Sequence, residues 1–146
     1  MFVLDTNVIS ELRQGKPNQS PNVRAWAEYQ AINHLFLSSI TILELEKGVR
    51  ILEKKTPPHG ATLRIWLNEI YSAFSDRILP FTEHTAMICA ALHIPNTYSK
   101  RDAMIASTAI EHRFTVVTRN IPDFLNINVK LLNPWLEESI ESKLES

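Results

Sequence analysis

The run FVLDTN at residues 2–7 carries three apolar residues into an aspartate, and the apolar pattern resumes with Val8 and Ile9. Phe2, Val3 and Leu4 are strand formers without polar alternation, which predicts a short strand covered on both faces. Beyond Asp5, the segment TNVISELRQG reads as a helix stopped by Gly15. Two roles are open for Asp5. It suits the N-cap of that helix, a contact typically worth about 1 kcal/mol. It also stands at a strand's carboxyl end, where open parallel sheets assemble their sites.

The alternation continues along the chain. After a proline-containing loop at 16–22, residues 23–32 place Val23, Trp26, Ala27 and Ile32 at near-helical spacing, and residues 34–40 (HLFLSSI) read as a second strand. Residues 41–55 form a helix with Ile42, Leu45, Val49 and Leu52 on one stripe. Thr41 is its expected cap, with Glu44 in the capping-box position. TPPHG at 56–60 breaks the chain before a helix at 61–76 whose apolar side carries Leu63, Trp66, Leu67, Ile70 and Phe74. A strand at 77–81, a helix at 82–94, a helix at 99–113, a strand at 114–118 (FTVVT), a turn at 119–124 and a last strand at 129–135 complete the order. Short unalternating strands between helices predict a three-layer α/β/α fold with a mostly parallel central sheet.

Bulk properties narrow the function. A chain of 146 residues suits one domain. The net charge of -1 gives no global basic field to advertise nucleic acid. The single cysteine, Cys89, excludes an intrachain disulfide and a thiolate zinc cluster; in its apolar helical stretch it is expected as a buried thiol. No apolar run reaches the length of a membrane span and no basic segment leads a long apolar one, so a cytoplasmic protein is expected. The serines lack a G-x-S-x-G elbow, the histidines lack an H-x-x-x-H pair, and three glycines cannot build a phosphate loop.

What remains is a set of acids beside the strands. Asp5 follows the first strand, Glu44 lies one helical turn after the second, Asp102 opens the helix before FTVVT, and Asn120 and Asp123 follow that strand. Each has an ordinary structural reading: a cap, a capping box, an acid suited to a helix dipole, a turn residue. Glu46, beside Glu44, is expected on a solvated face. Gathered at one sheet edge, the acids make an all-oxygen donor set that selects hard cations, Mg²⁺ or Mn²⁺. Without a cation the cluster repels itself. Thr6, Asn7 and Thr118 are placed to orient the carboxylates or hold water beside them.

At this point FVLDTNVISEL, SSITILELEKGV, RDAMIASTA, FTVVTRNIPDF and LLNPW, in that order, resemble the PIN-domain family, and within it the VapC-type toxins and their FitB-like branch. The resemblance covers nearly the whole chain. It implies a PIN domain over 1–135 with a polar tail at 136–146, and a metal-dependent endoribonuclease toxin. Asp5, Glu44 and Asp102 match the family's first three acids, with Asp5 and Asp102 as metal ligands. The fourth acid usually ends a T-x-D motif; here that position is Asn120, and Asp123 is the neighbouring carboxylate. Thr6 and Thr118 match hydroxyl positions near the family's site. The resemblance further implies Mg²⁺ (or Mn²⁺) as cofactor, RNA as substrate, a homodimer, and a VapB-like antitoxin seated in an apolar groove between the first helices that includes Trp26 and Tyr29; read from its helical apolar face alone, Trp26, like Trp66, is expected as a core or interface residue. Arg13, Lys16, Lys47, Lys100, Arg101 and Arg119 are the cations beside the site segments, expected as RNA contacts or as plain surface charge. Asn120 keeps open a catalytically weak PIN fold that binds RNA or protein without cutting. A DNA nuclease or a housekeeping RNA-processing enzyme is the third reading.

Overall fold

The computed structural model describes residues 1–136; most of the polar tail lies outside the described residues. Among these residues five strands, β1 (Phe2–Leu4), β2 (Leu35–Ser38), β3 (Ile78–Leu79), β4 (Thr115–Val117) and β5 (Leu131–Leu132), form one sheet in the order β3-β2-β1-β4-β5. Every pairing is parallel. The chain moves outward from β1 to β2 and β3, then returns to the other side of β1 as β4. The carboxyl end of β1 is therefore the switch point where such sheets open a crevice.

Among the described residues six helices cover the sheet: α1 (Thr6–Glu11), α2 (Pro21–Tyr29), α3 (Ser39–Lys55), α4 (Pro57–Ala73), α5 (Glu83–Leu92) and α6 (Lys100–His112). The register Val3↔Val116 and Leu4↔Val117 sends alternate side chains to opposite faces. Leu4 and Val117 pack with Val8, Trp26, Val49 and Leu67 beneath the first four helices. Val3 and Val116 pack with Ile105, Ala106, Ala109 and Phe124 beneath α6. These are the three layers expected, and Cys89 is buried as expected. Among the described residues no helix is long and apolar enough to cross a membrane.

Local chemistry moves several boundaries. Ser38, not Thr41, caps α3: its hydroxyl accepts from Thr41 N at 3.2 Å, and Thr41 is buried one turn inside. Glu44 therefore occupies no capping-box slot. The break expected over TPPHG is present but confined to Thr56, and the PPHG residues belong to α4. Pro57 and Pro58 open α4 after a one-residue joint at Thr56, because proline is at ease in a helix's first turn. Gly60 lets α4 start this close to α3: a Cβ there would lie 2.4 Å from Glu53 Cα. Pro21 likewise starts α2 inside the expected loop, capped by Ser20. The turn after β4 is a short 3₁₀ helix, Ile121–Phe124.

Glu46 is not a solvated face residue. Arg64 on α4 grips it through both terminal nitrogens, at 2.9 and 2.6 Å, while Tyr71 donates to it at 2.7 Å and Arg50 at 2.7 Å. The hydrogen bonds from Arg64 and Tyr71 hold its carboxyl far below the usual glutamate range, against the opposing effect of burial. This polar clasp joins α3 to α4.

Candidate active site

Asp5 follows β1 directly, with no exposed surface, and its N–H donates to Val117 O at 2.9 Å. Its Oδ1 accepts from Thr6 N at 2.7 Å, so the residue caps α1. Its Oδ2 accepts from Thr118 Oγ1 at 2.7 Å. Asp5 is thus both the cap of α1 and the residue at the carboxyl end of β1.

Two further carboxylates meet it there. Glu44 extends from the second turn of α3, and its Oε1 accepts from Thr6 Oγ1 at 2.5 Å. Asp102 lies in the first turn of α6, capped by Ser99, whose hydroxyl donates to Asp102 Oδ2 at 2.6 Å. A single guanidinium joins all three. Arg101 donates from Nη2 to Asp5 Oδ1, from Nε to Glu44 Oε2 at 2.5 Å and from Nη1 to Asp102 Oδ1 at 2.9 Å. Burial opposes its charge, but the hydrogen bond to Glu44 and the charge of Asp5 outweigh that and raise its pKa above the usual arginine value.

The other expected members stand outside this group. Asn120 is exposed; its backbone N–H donates to Thr118 Oγ1 at 3.0 Å, which helps fix the hydroxyl that holds Asp5. Asp123 is also exposed, and its backbone N–H donates to Asn120 O at 3.1 Å. Neither side chain hydrogen-bonds to the three carboxylates. Asn7 Oδ1 accepts from Arg119 N at 3.4 Å, tying the start of α1 to the end of β4. Of the six cations beside the site segments, Arg101 is the one that reaches the three carboxylates. Among the others, Lys16 pairs with Glu11 at 3.0 Å and Arg119 lies over the Trp135 ring at 5.3 Å.

The donor types suit a hard cation: three carboxylates, with no imidazole or thiolate among them. As they stand, however, no three acidic, histidine or cysteine side chains among the described residues are grouped closely enough to hold one. The guanidinium lies between them. Arg101 was legible in the sequence only as the basic neighbour of Asp102, because its other partners are 57 and 96 residues away.

Trp26 does not line a groove. It is buried in the core, edge-on to Phe2 at 5.2 Å. The apolar groove beside α1 and α2 is lined instead by Leu12, Ala27, Ile32, Trp66 and Ile70.

Comparison with known proteins agrees with this architecture. The sequence profile of the PIN domain matches residues 2–128. The chain is 38% identical over 143 residues to Toxin FitB of Neisseria gonorrhoeae, covering 92% of this chain and 99% of that one. It is 35% identical over 144 residues to VapC ribonuclease Y4jK of Sinorhizobium fredii, covering 92% and 98%. The crystal structure of FitAcB from Neisseria gonorrhoeae superposes with a TM-score of 0.82 at 36% identity, over 92% of this chain and 99% of that chain. With its parallel sheet, its acids at the switch point and these matches, the chain belongs to the PIN-domain family.

Proposed function

We propose that the chain is a Mg²⁺-dependent endoribonuclease, the toxin of a toxin–antitoxin pair, and that it hydrolyses RNA phosphodiester bonds at Asp5, Glu44 and Asp102. The observation that carries this reading is the convergence of three carboxylates from three distant segments at the sheet's switch point. The names of the relatives, one a ribonuclease and one a toxin, support the substrate class and the biological role.

Asp5, Glu44 and Asp102 would hold the cation, Mg²⁺ or Mn²⁺, with Asn120 or Asp123 completing the set from the loop after β4. Bound there, the ion supplies the Lewis-acid charge that readies water for in-line attack on the phosphodiester and offsets charge on the leaving 3′ oxygen. The protein's own part is orientation. Thr118 fixes Asp5, Thr6 fixes Glu44 and Ser99 fixes Asp102, so no carboxylate is free to turn away. No side-chain nucleophile is required, and the products carry 5′-phosphate and 3′-hydroxyl ends.

The protein acts in the cytoplasm, as a homodimer silenced by a VapB-like antitoxin. The groove lined by Leu12, Ala27, Trp66 and Ile70 suits an apolar antitoxin segment. The outer face of α3, where Leu43 and Ile51 stand exposed beside Lys47, Arg50 and Lys54, suits self-association.

The test is cleavage of total RNA by the purified protein with Mg²⁺ or Mn²⁺, with EDTA, and beside Asp5→Ala. Metal-dependent cutting that is lost in the variant is the expected result. A folded, antitoxin-free protein that cuts nothing overturns the nuclease and favours a binding-only PIN fold, the reading that the uncharged Asn120 supports.

A further inference from the structure

Each of the three carboxylates is held in the same way. One oxygen accepts from a hydroxyl: Asp5 Oδ2 from Thr118, Glu44 Oε1 from Thr6, Asp102 Oδ2 from Ser99. The other oxygen accepts from Arg101, a different guanidinium nitrogen for each. The hydroxyls belong to three separate segments and owe nothing to Arg101. They aim Oδ1 of Asp5, Oε2 of Glu44 and Oδ1 of Asp102 at one position, and a cation already sits in it.

That cation cannot share the position with a metal. A guanidinium offers only N–H donors and no lone pair, and it keeps its charge at any working pH. The inward oxygens it occupies are those a metal would need. Nor is Arg101 well placed to stay. It is the second residue of α6, where the helix N-terminus disfavours positive charge. Its side chain is 32% exposed, so a rotation carries the guanidinium into solvent without disturbing the core.

We propose that Arg101 is an exchangeable internal counter-ion: it closes the metal-free site by neutralising Asp5, Glu44 and Asp102, and it must withdraw before the metal binds. This rests on the metal-site reading above and adds a gate to it. In the metal-free state the guanidinium suppresses the repulsion among three carboxylates. The same contact lowers the apparent affinity for metal by the fraction of molecules in which Arg101 is withdrawn.

The test is a Mn²⁺ titration of the full chain without RNA, read by the electron paramagnetic resonance signal of free Mn²⁺, for wild type, Arg101→Gln and Arg101→Lys. With Arg101 withdrawn in about one molecule in ten, Arg101→Gln binds Mn²⁺ about tenfold more tightly. Arg101→Lys keeps a charge but cannot span three carboxylates, so it gives a smaller tightening and provides a folded variant if the glutamine form fails. Melting in EDTA supplies the second readout: Arg101→Gln melts below wild type, and saturating Mn²⁺ removes the difference. Binding by the variants alone also supports the gate. Equal or weaker binding in the variants, with wild type binding normally, makes Arg101 a positioning residue and overturns the gate while sparing the metal site. No binding by any of the three proteins overturns both.

Discussion

Thr118 Oγ1 donates to Asp5 Oδ2 at 2.7 Å, so the residue that follows β4 holds the carboxylate that follows β1, 113 residues earlier. Both residues are buried. Thr118→Val keeps the shape and removes the donor, leaving a buried carboxylate oxygen short of a partner. The expected loss is about 1–3 kcal/mol in urea melts, with Thr118→Ser close to wild type. A valine variant as stable as wild type would mean that Asp5 does not depend on this hydroxyl.

Asp102→Asn tests a different quality. Asp102 caps nothing and belongs to no apolar cluster; its oxygens face Ser99 and Arg101. The amide has nearly the same shape, so circular dichroism and melting are expected to change little. Cleavage is expected to vanish, because the site loses one of its three negative charges. Full activity in this variant would remove Asp102 from the metal's ligands.

What the sequence made legible and what it hid differ in range. The strand at Phe2–Leu4 and the acid that ends it were readable because an apolar run and its terminator are neighbours in the chain. The start of α3 was not, since Ser38, Ser39 and Thr41 can all cap a helix. Only the point at which the chain leaves the sheet selects Ser38. Glu46 looked like a surface acid because its main partner, Arg64, lies on the next helix, 18 residues on. Arg101 was hidden most deeply. Nothing local separates it from any other arginine at a helix start, and its meaning comes from Asp5 and Glu44 brought in from other layers.

Gly60 shows the same dependence on tertiary context. An interior helical glycine gives up about 1 kcal/mol against alanine, so Gly60→Ala would stabilise α4 if there were room. There is none: the added Cβ meets Glu53 Cα and N at 2.4 Å and Leu52 C at 2.8 Å, all of them backbone atoms. α4 must shift away from α3, and the expected net loss is about 1–3 kcal/mol in denaturant melts. A variant more stable than wild type would show that the two helices separate without cost.

The clasp between α3 and α4 predicts how stability follows pH. Burial first, and then the Glu46 carboxylate, push the Tyr71 pKa up to about 12. In the unfolded chain a tyrosine loses its proton near pH 10. Between these values the folded protein holds a proton that the unfolded chain has released, so stability falls as pH rises from about 10 to about 12. Glu46 has the opposite sense. Its folded pKa is depressed, so its contribution is present above the ordinary glutamate range and is lost as pH falls below it. Tyr71→Phe removes the alkaline component and weakens the acidic one, because the Tyr71 hydroxyl is one of the donors that depress the Glu46 pKa. Wild type is expected to exceed the variant in stability by on the order of 1–2 kcal/mol at pH 8, with the gap narrowing toward pH 12. Paired urea melts at pH 8, 10 and 11.5 check this. A gap constant across the three would mean that the Tyr71 phenol is not coupled to Glu46, and that the short contact between them carries no protonation linkage.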